Sequence, residues 1–114
     1  MANGWYELSK SSNGQFRFAL KAGNAETILS SELYTTRAAA ENGIASVQKN
    51  SADDARYERK ESSHGKFMFN LKAANHQIIG TSQMYETTQS RDKGIESVKT
   101  NGPTTTIKDK TSEA

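Results

Sequence analysis

The 114-residue chain contains no cysteine, which excludes a disulfide framework, thiolate chemistry and a cysteine-built zinc site together. It has one proline, two histidines and one tryptophan. No stretch approaches the ~20 apolar residues of a membrane span. The start, Met1-Ala2-Asn3-Gly4-Trp5, lacks the basic segment and apolar run of a signal peptide. The expectation is a cytoplasmic protein with no membrane association. Neither sign of charge dominates: 15 basic residues stand against 13 acidic ones, net +2, with no run that demands a polyanion. Phosphate loops, dinucleotide fingerprints and glycine-flanked serine elbows are also missing.

What the chain does have is a repeat. The stretch from Gly14 to Asn24, Gly-Gln-Phe-Arg-Phe-Ala-Leu-Lys-Ala-Gly-Asn, returns 51 residues later from Gly65 to Asn75. Placing Tyr6 on Tyr57 aligns 45 residues without a gap and gives 20 identities, among them Glu7/Glu58, Ser31/Ser82, Tyr34/Tyr85, Gly43/Gly94 and Asn50/Asn101. Repeat one spans 5–50 and repeat two 56–101, joined by Ser51-Ala52-Asp53-Asp54-Ala55. One unit of this size rarely buries enough surface to be stable by itself, so the two are expected to close one core as a single domain, 1–101.

Within each unit, Phe16, Phe18 and Leu20, and likewise Phe67, Phe69 and Leu71, alternate with polar residues, the period of a half-buried strand. Strands are expected at Trp5 to Lys10, Gln15 to Ala22 and Ala25 to Ser30, and again at Arg56 to Lys60, Lys66 to Ala73 and His76 to Thr81. A helix follows in each copy, capped by Thr35 or Thr36 and by Thr87 or Thr88, with Ala40, Ile44 and Val47 on one face of the first. In the second copy Arg91 replaces Ala40. The expected fold is α+β: tandem β-β-β-α units forming one six-stranded antiparallel sheet, pseudo-twofold, with two helices on one face. Residues 102–114 have no periodicity and are expected to be a disordered tail.

The order aromatic-Glu, then Gly-x-aromatic-x-aromatic-x-Leu-Lys-Ala-x-Asn, an Ile-containing strand, Ser-x-x-Tyr and a helix ending near Ile-x-x-Val resembles the YegP-like family of small bacterial proteins, built on a domain of unknown function. The resemblance implies a six-stranded sheet with the helices exchanged between repeats. It supplies no catalytic residues. Where the family usually has Asn-Gly in the second turn, this chain has Asn24-Ala25 and Asn75-His76; either the turn slides back to Gly23-Asn24 and Ala74-Asn75 or its type changes.

Candidate chemistry is thin. His64 and His76 lie in turns at opposite ends of one strand, too far apart to share a metal, and Asn13 and Ala25 hold their places in repeat one. Ser31 and Ser82 lack a partnered base, so turn or helix-entry hydrogen bonding is their reading. Gly43 and Gly94, inside helices, suggest close approach of the helix to backbone. No catalytic residue, metal site or cofactor is expected, and the chain is read as no enzyme. The polar side of the middle strands, Arg17, Lys21, Lys66, Met68, Asn70 and Lys72, is the candidate binding face. Function is read as a non-catalytic interaction or ligand-binding module, a monomer whose partner is an unknown protein or small ligand. The alternative is weak, sequence-independent nucleic-acid binding by that basic face.

Overall fold

In the computed structural model, which describes residues 4–111, the alternation does bury one side of each middle strand. Phe18, Leu20, Phe69 and Leu71 have almost no exposure, while Phe16 and Phe67, nearer the turns, are half-buried. The elements are β1 (Trp5–Lys10), β2 (Phe16–Lys21), β3 (Thr27–Ser30), α1 (Arg37–Asn50), a 3-10 turn (Asp54–Arg56), β4 (Tyr57–Glu61), β5 (Phe67–Lys72), β6 (Ile78–Thr81), α2 (Thr88–Asn101) and β7 (Ile107–Asp109).

The strands form one sheet in the order β4-β5-β6-β3-β2-β1-β7. Its centre is the β3–β6 pair, where Ser30 lies opposite Thr81. Those two residues hold the same place in the two repeats, so the pseudo-twofold axis passes between them. Thr36 and Thr87 cap the helices by accepting the N–H groups of Ala39 and Ser90 at 3.1 and 3.0 Å. Each helix rests on the middle strand of its own repeat and on the third strand of the other. The exchange implied by the resemblance is thus a sharing: both helices bridge the junction, and the apolar residues of both repeats form one core.

Two expectations fail together. Among the described residues the sheet has seven strands and is mixed, because β7 pairs parallel to β1 with Tyr6 opposite Ile107 and Leu8 opposite Asp109. Residues 102–111 are therefore no free tail. Asn101 Oδ1 accepts the Gly4 N–H at 3.0 Å, the buried Thr104 hydroxyl donates to Gly4 O at 3.0 Å, and Gln48 donates to Thr104 O at 2.8 Å. Backbone bonds then run from Tyr6 N–H to Thr106 O and from Lys110 N–H to Leu8 O. Polar and backbone groups hold this strand, so no hydrophobic period announced it. Residues 112–114 lie outside the described residues.

Two local expectations resolve differently. The N–H groups of Ala25 and His76 bond to Ala22 O and Ala73 O at 2.9 Å, so Gly23-Asn24 and Ala74-Asn75 form the turn centres. The turn slides back and its type also changes, leaving Ala25 and His76 at φ of 69° and 70°, in the left-handed region that side chains resist. The helix glycines face side chains where backbone was expected. A Cβ at Gly43 would meet Tyr34 Oη at 2.7 Å and the Phe18 ring at 2.8 Å, and one at Gly94 would meet Tyr85 Oη at 2.4 Å. The absent methyl makes room for two parallel ring stacks, Tyr34 on Phe18 and Tyr85 on Phe69.

Candidate binding face

The face turned away from the helices is set by strand phase. β1 contributes Trp5, Glu7 and Ser9, which lie opposite Lys21, Ala19 and Arg17 of β2. β4 contributes Glu58 and Lys60, opposite Asn70 and Met68 of β5. Lys108 of β7 lies beside Glu7. Five cations, Arg17, Lys21, Lys60, Lys72 and Lys108, thus surround two carboxylates, Glu7 and Glu58.

The six expected residues do not form one patch. Arg17 and Lys21 sit on β2 and Met68, Asn70 and Lys72 on β5, with β3 and β6 between them, about 14 Å at ordinary strand spacing. Lys66 precedes β5 and is paired with Glu86 in the loop before α2. Lys21 donates to Thr27 Oγ1 at 2.6 Å. Both histidines are exposed in separate turns, and among the described residues no group of three His, Cys, Asp or Glu side chains could hold a metal. Ser31 and Ser82 stitch strands together: their hydroxyls accept the N–H groups of Phe18 and Phe69 at 2.9 and 3.0 Å.

On the repeat-two half, Asn70 is the hub. It is only 5% exposed although it lies on the open face. Its amide donates to Glu58 Oε1 at 3.1 Å and its carbonyl accepts the Thr81 hydroxyl at 2.9 Å, while Lys72 donates to Glu58 Oε2 at 3.0 Å. The hydrogen bond from Asn70, then that from Lys72, holds the Glu58 carboxyl below the usual carboxylate range.

On the repeat-one half Trp5 is the feature missed from sequence. Its indole N–H donates to Glu7 Oε2 at 3.0 Å, and Lys108 Nζ lies 3.9 Å from the ring centroid. The phase of Trp5, one residue before the buried Tyr6, was a usable signal; Lys108 was hidden in the supposed tail. A hollow of about 220 Å³ lies above Ala19. A wider one of about 350 Å³ covers the junction, where Ile78 is 45% exposed.

Compared with known proteins, the chain matches the pattern described as a domain of unknown function (DUF1508) twice, at residues 11–58 and 62–109. The chain belongs to the DUF1508 family. It is 68% identical over 108 residues to UPF0339 protein YegP of Escherichia coli strain K12, covering 95% of this chain and 98% of that protein. A UPF0339 protein of Shewanella oneidensis is 66% identical over 109 residues, covering 96% of this chain and 99% of that one. The solution NMR structure of yegP from E. coli, a protein of unknown function, superposes with a TM-score of 0.94 at 67% identity over 100% of this chain and 97% of the other. That of SO3888 from Shewanella oneidensis gives 0.93 at 66% identity, over 97% of this chain and 94% of the other. The tandem DUF1508 organisation is thereby established. The second copy runs to residue 109, so β7 belongs to it and takes the place that the first residues of β4 take in the first copy. No helix among the described residues is long and apolar enough to cross a membrane.

Proposed function

We propose that this DUF1508 protein is a non-catalytic binding module whose open sheet face receives an anionic partner. One observation supports this above others: five cations and two carboxylates share a face on which the large side chains of Trp5, Met68 and Ile78 have no helix to cover them. Cations around an apolar centre attract a partner at long range and then offer it surface to desolvate. The carboxyl group with the strongest network on this face, Glu58, is held ionised, the state of a structural anchor. It is not poised as a proton donor.

Nucleic acid is the alternative occupant. Lys108 lies over the Trp5 ring, so on that side a stacked base would have to displace the ammonium group. This favours a partner bound through charge and edges over one bound through stacked bases. The test is a ¹H–¹⁵N NMR titration of the full chain with a polyglutamate peptide and with oligothymidylate, at low and moderate salt. Shifts should gather at Arg17, Lys72 and Lys108 and weaken with salt. Shifts confined to the helix side, or none at low salt, reject the reading. Quenching of Trp5 by oligothymidylate alone would favour nucleic acid.

A further inference from the structure

Ala19 and Asn70 occupy the same position in the two repeats, and the neighbours on either side of them match as well. In repeat two the register runs Glu58, Asn70, Thr81; in repeat one it runs Glu7, Ala19, Ser30. Each line is a carboxylate, a central residue and a hydroxyl across three adjacent strands. The Asn70 carboxamide fills the centre, its N–H donating to Glu58 and its carbonyl accepting the hydrogen bond of the Thr81 hydroxyl. Ala19 leaves the centre open. The result is the hollow of about 220 Å³, floored by Ala19 and walled by Glu7, Ser9, Arg17, Lys21 and Ser30. Glu7 Oε2 is taken by Trp5. Among the described residues, Glu7 Oε1 and the Ser30 hydroxyl have no hydrogen-bond partner.

We propose that this hollow is a binding site for a primary carboxamide, held as the chain already holds its own in repeat two. The ligand's N–H would donate to Glu7 Oε1 and its carbonyl would accept from the Ser30 hydroxyl. The volume exceeds one carboxamide, since a single water takes about 30 Å³, so the group enters on a carrier. The carrier is anionic. Arg17 and Lys21 flank Ala19 two residues away on the same face of β2, and repeat two has Met68 in the place of Arg17. The ligand class is a glutamine or asparagine side chain borne by a free amino acid or an acidic peptide. A carboxylate in place of the amide would set an acceptor against Glu7, and a site built around a donor rejects the analogue that lacks it.

This inference rests on the open face being the binding surface and assigns one subsite within it. The experiment is an NMR titration of the full chain with N-acetyl-L-glutamine and, separately, N-acetyl-L-glutamate. The amide probe should give saturable shifts at Glu7, Ala19 and Ser30, with about tenfold weaker binding of the acid. Ala19→Asn, which supplies an internal carboxamide, should abolish these shifts while raising the melting temperature or leaving it unchanged. Should that variant not fold, Ser30→Ala, at an exposed position, must weaken binding instead. Equal binding of amide and acid, undiminished binding by the variants, or no saturation overturns the subsite. If polyglutamate still shifts the open face in that event, the anionic-partner reading stands alone; if polyglutamate fails while the amide saturates at Ala19, the reverse holds.

Discussion

Leu29 and Gly80 are the same position of the two repeats, yet the Leu29 side chain fills the space of both: a Cβ on Gly80 would lie 2.6 Å from Leu29 Cγ. Ser51 and Gly102 repeat the arrangement beyond the helix ends, where a Cβ on Gly102 would lie 2.3 Å from Ser51 Oγ. Both pairs straddle the pseudo-twofold axis, where two equal side chains would occupy the same volume. One member of each pair has to be small. A duplicated sequence closes its core by breaking its symmetry at these contacts.

Gly80→Ala should therefore destabilise by about 1–3 kcal/mol through overpacking, and Leu29→Gly through the cavity it leaves. The double variant Leu29→Gly with Gly80→Leu places the same atoms across the axis and should be more stable than the less stable single variant. Thermal unfolding of the set decides this; a double variant no better than the worse single would reject the axial account.

Tyr6 and Tyr57 donate their hydroxyls to Gly102 O and Ser51 O, both at 2.6 Å, tying β1 and β4 each to a helix end. Burial is the main cause that pushes both phenols far above the ordinary tyrosine range. A raised folded value means the contribution is full below about pH 10 and is lost as pH climbs beyond it. Stability should fall steeply on the alkaline side, and less so in Tyr6→Phe and Tyr57→Phe. At neutral pH each variant should lose about 1–3 kcal/mol, because a buried carbonyl is left unpaired. Denaturant melts at neutral pH and above pH 10 test both statements.

Asn70→Ala removes the leading cause of the lowered Glu58 pKa, so that carboxyl should move up toward its ordinary value. A depressed folded value contributes stability above the ordinary carboxylate range, lost as pH falls through the folded value. The acid-side loss traceable to Glu58 should shrink in the variant. Carboxyl ¹³C shifts followed through an acid titration would show the change, and an unmoved Glu58 curve would contradict the network.

Ala25→Gly and His76→Gly should each stabilise by about 0.5–1 kcal/mol, since glycine adopts their left-handed backbone without strain. Melting temperatures should rise in both and add in the double variant, the two turns being separate. A fall in either would mean that its side chain has a role that relief of strain does not offset.

Ending the chain after Pro103 removes Thr104 and β7 and should uncover the outer edge of β1. The Tyr6 amide, bonded to Thr106 O, should be slow to exchange with deuterium in the full chain and fast after truncation. Equal exchange in both would show that β7 does not protect that edge.

Sequence alone determined the repeat, the strand order within it, the helix starts to within one residue (Thr35 or Thr36, Thr87 or Thr88) and the inward side of the Phe-x-Phe-x-Leu strands. All of these follow from local periodicity and capping chemistry. It also put Glu7, Ala19 and Asn70 on the open side by phase, without saying which would meet. Tertiary structure decided the rest. β7 is held by threonine hydroxyls, an asparagine amide and backbone groups, none of which has a period to read, so its docking depends on an edge that exists only once the sheet has formed. The split of the expected basic patch into two groups was set by β3 and β6 pairing at the axis. The contrast between a filled Asn70 site and an open Ala19 hollow needs three strands in register, because a carboxylate, an alanine and a hydroxyl spread over residues 7, 19 and 30 become a site only when hydrogen-bonded ladders align them.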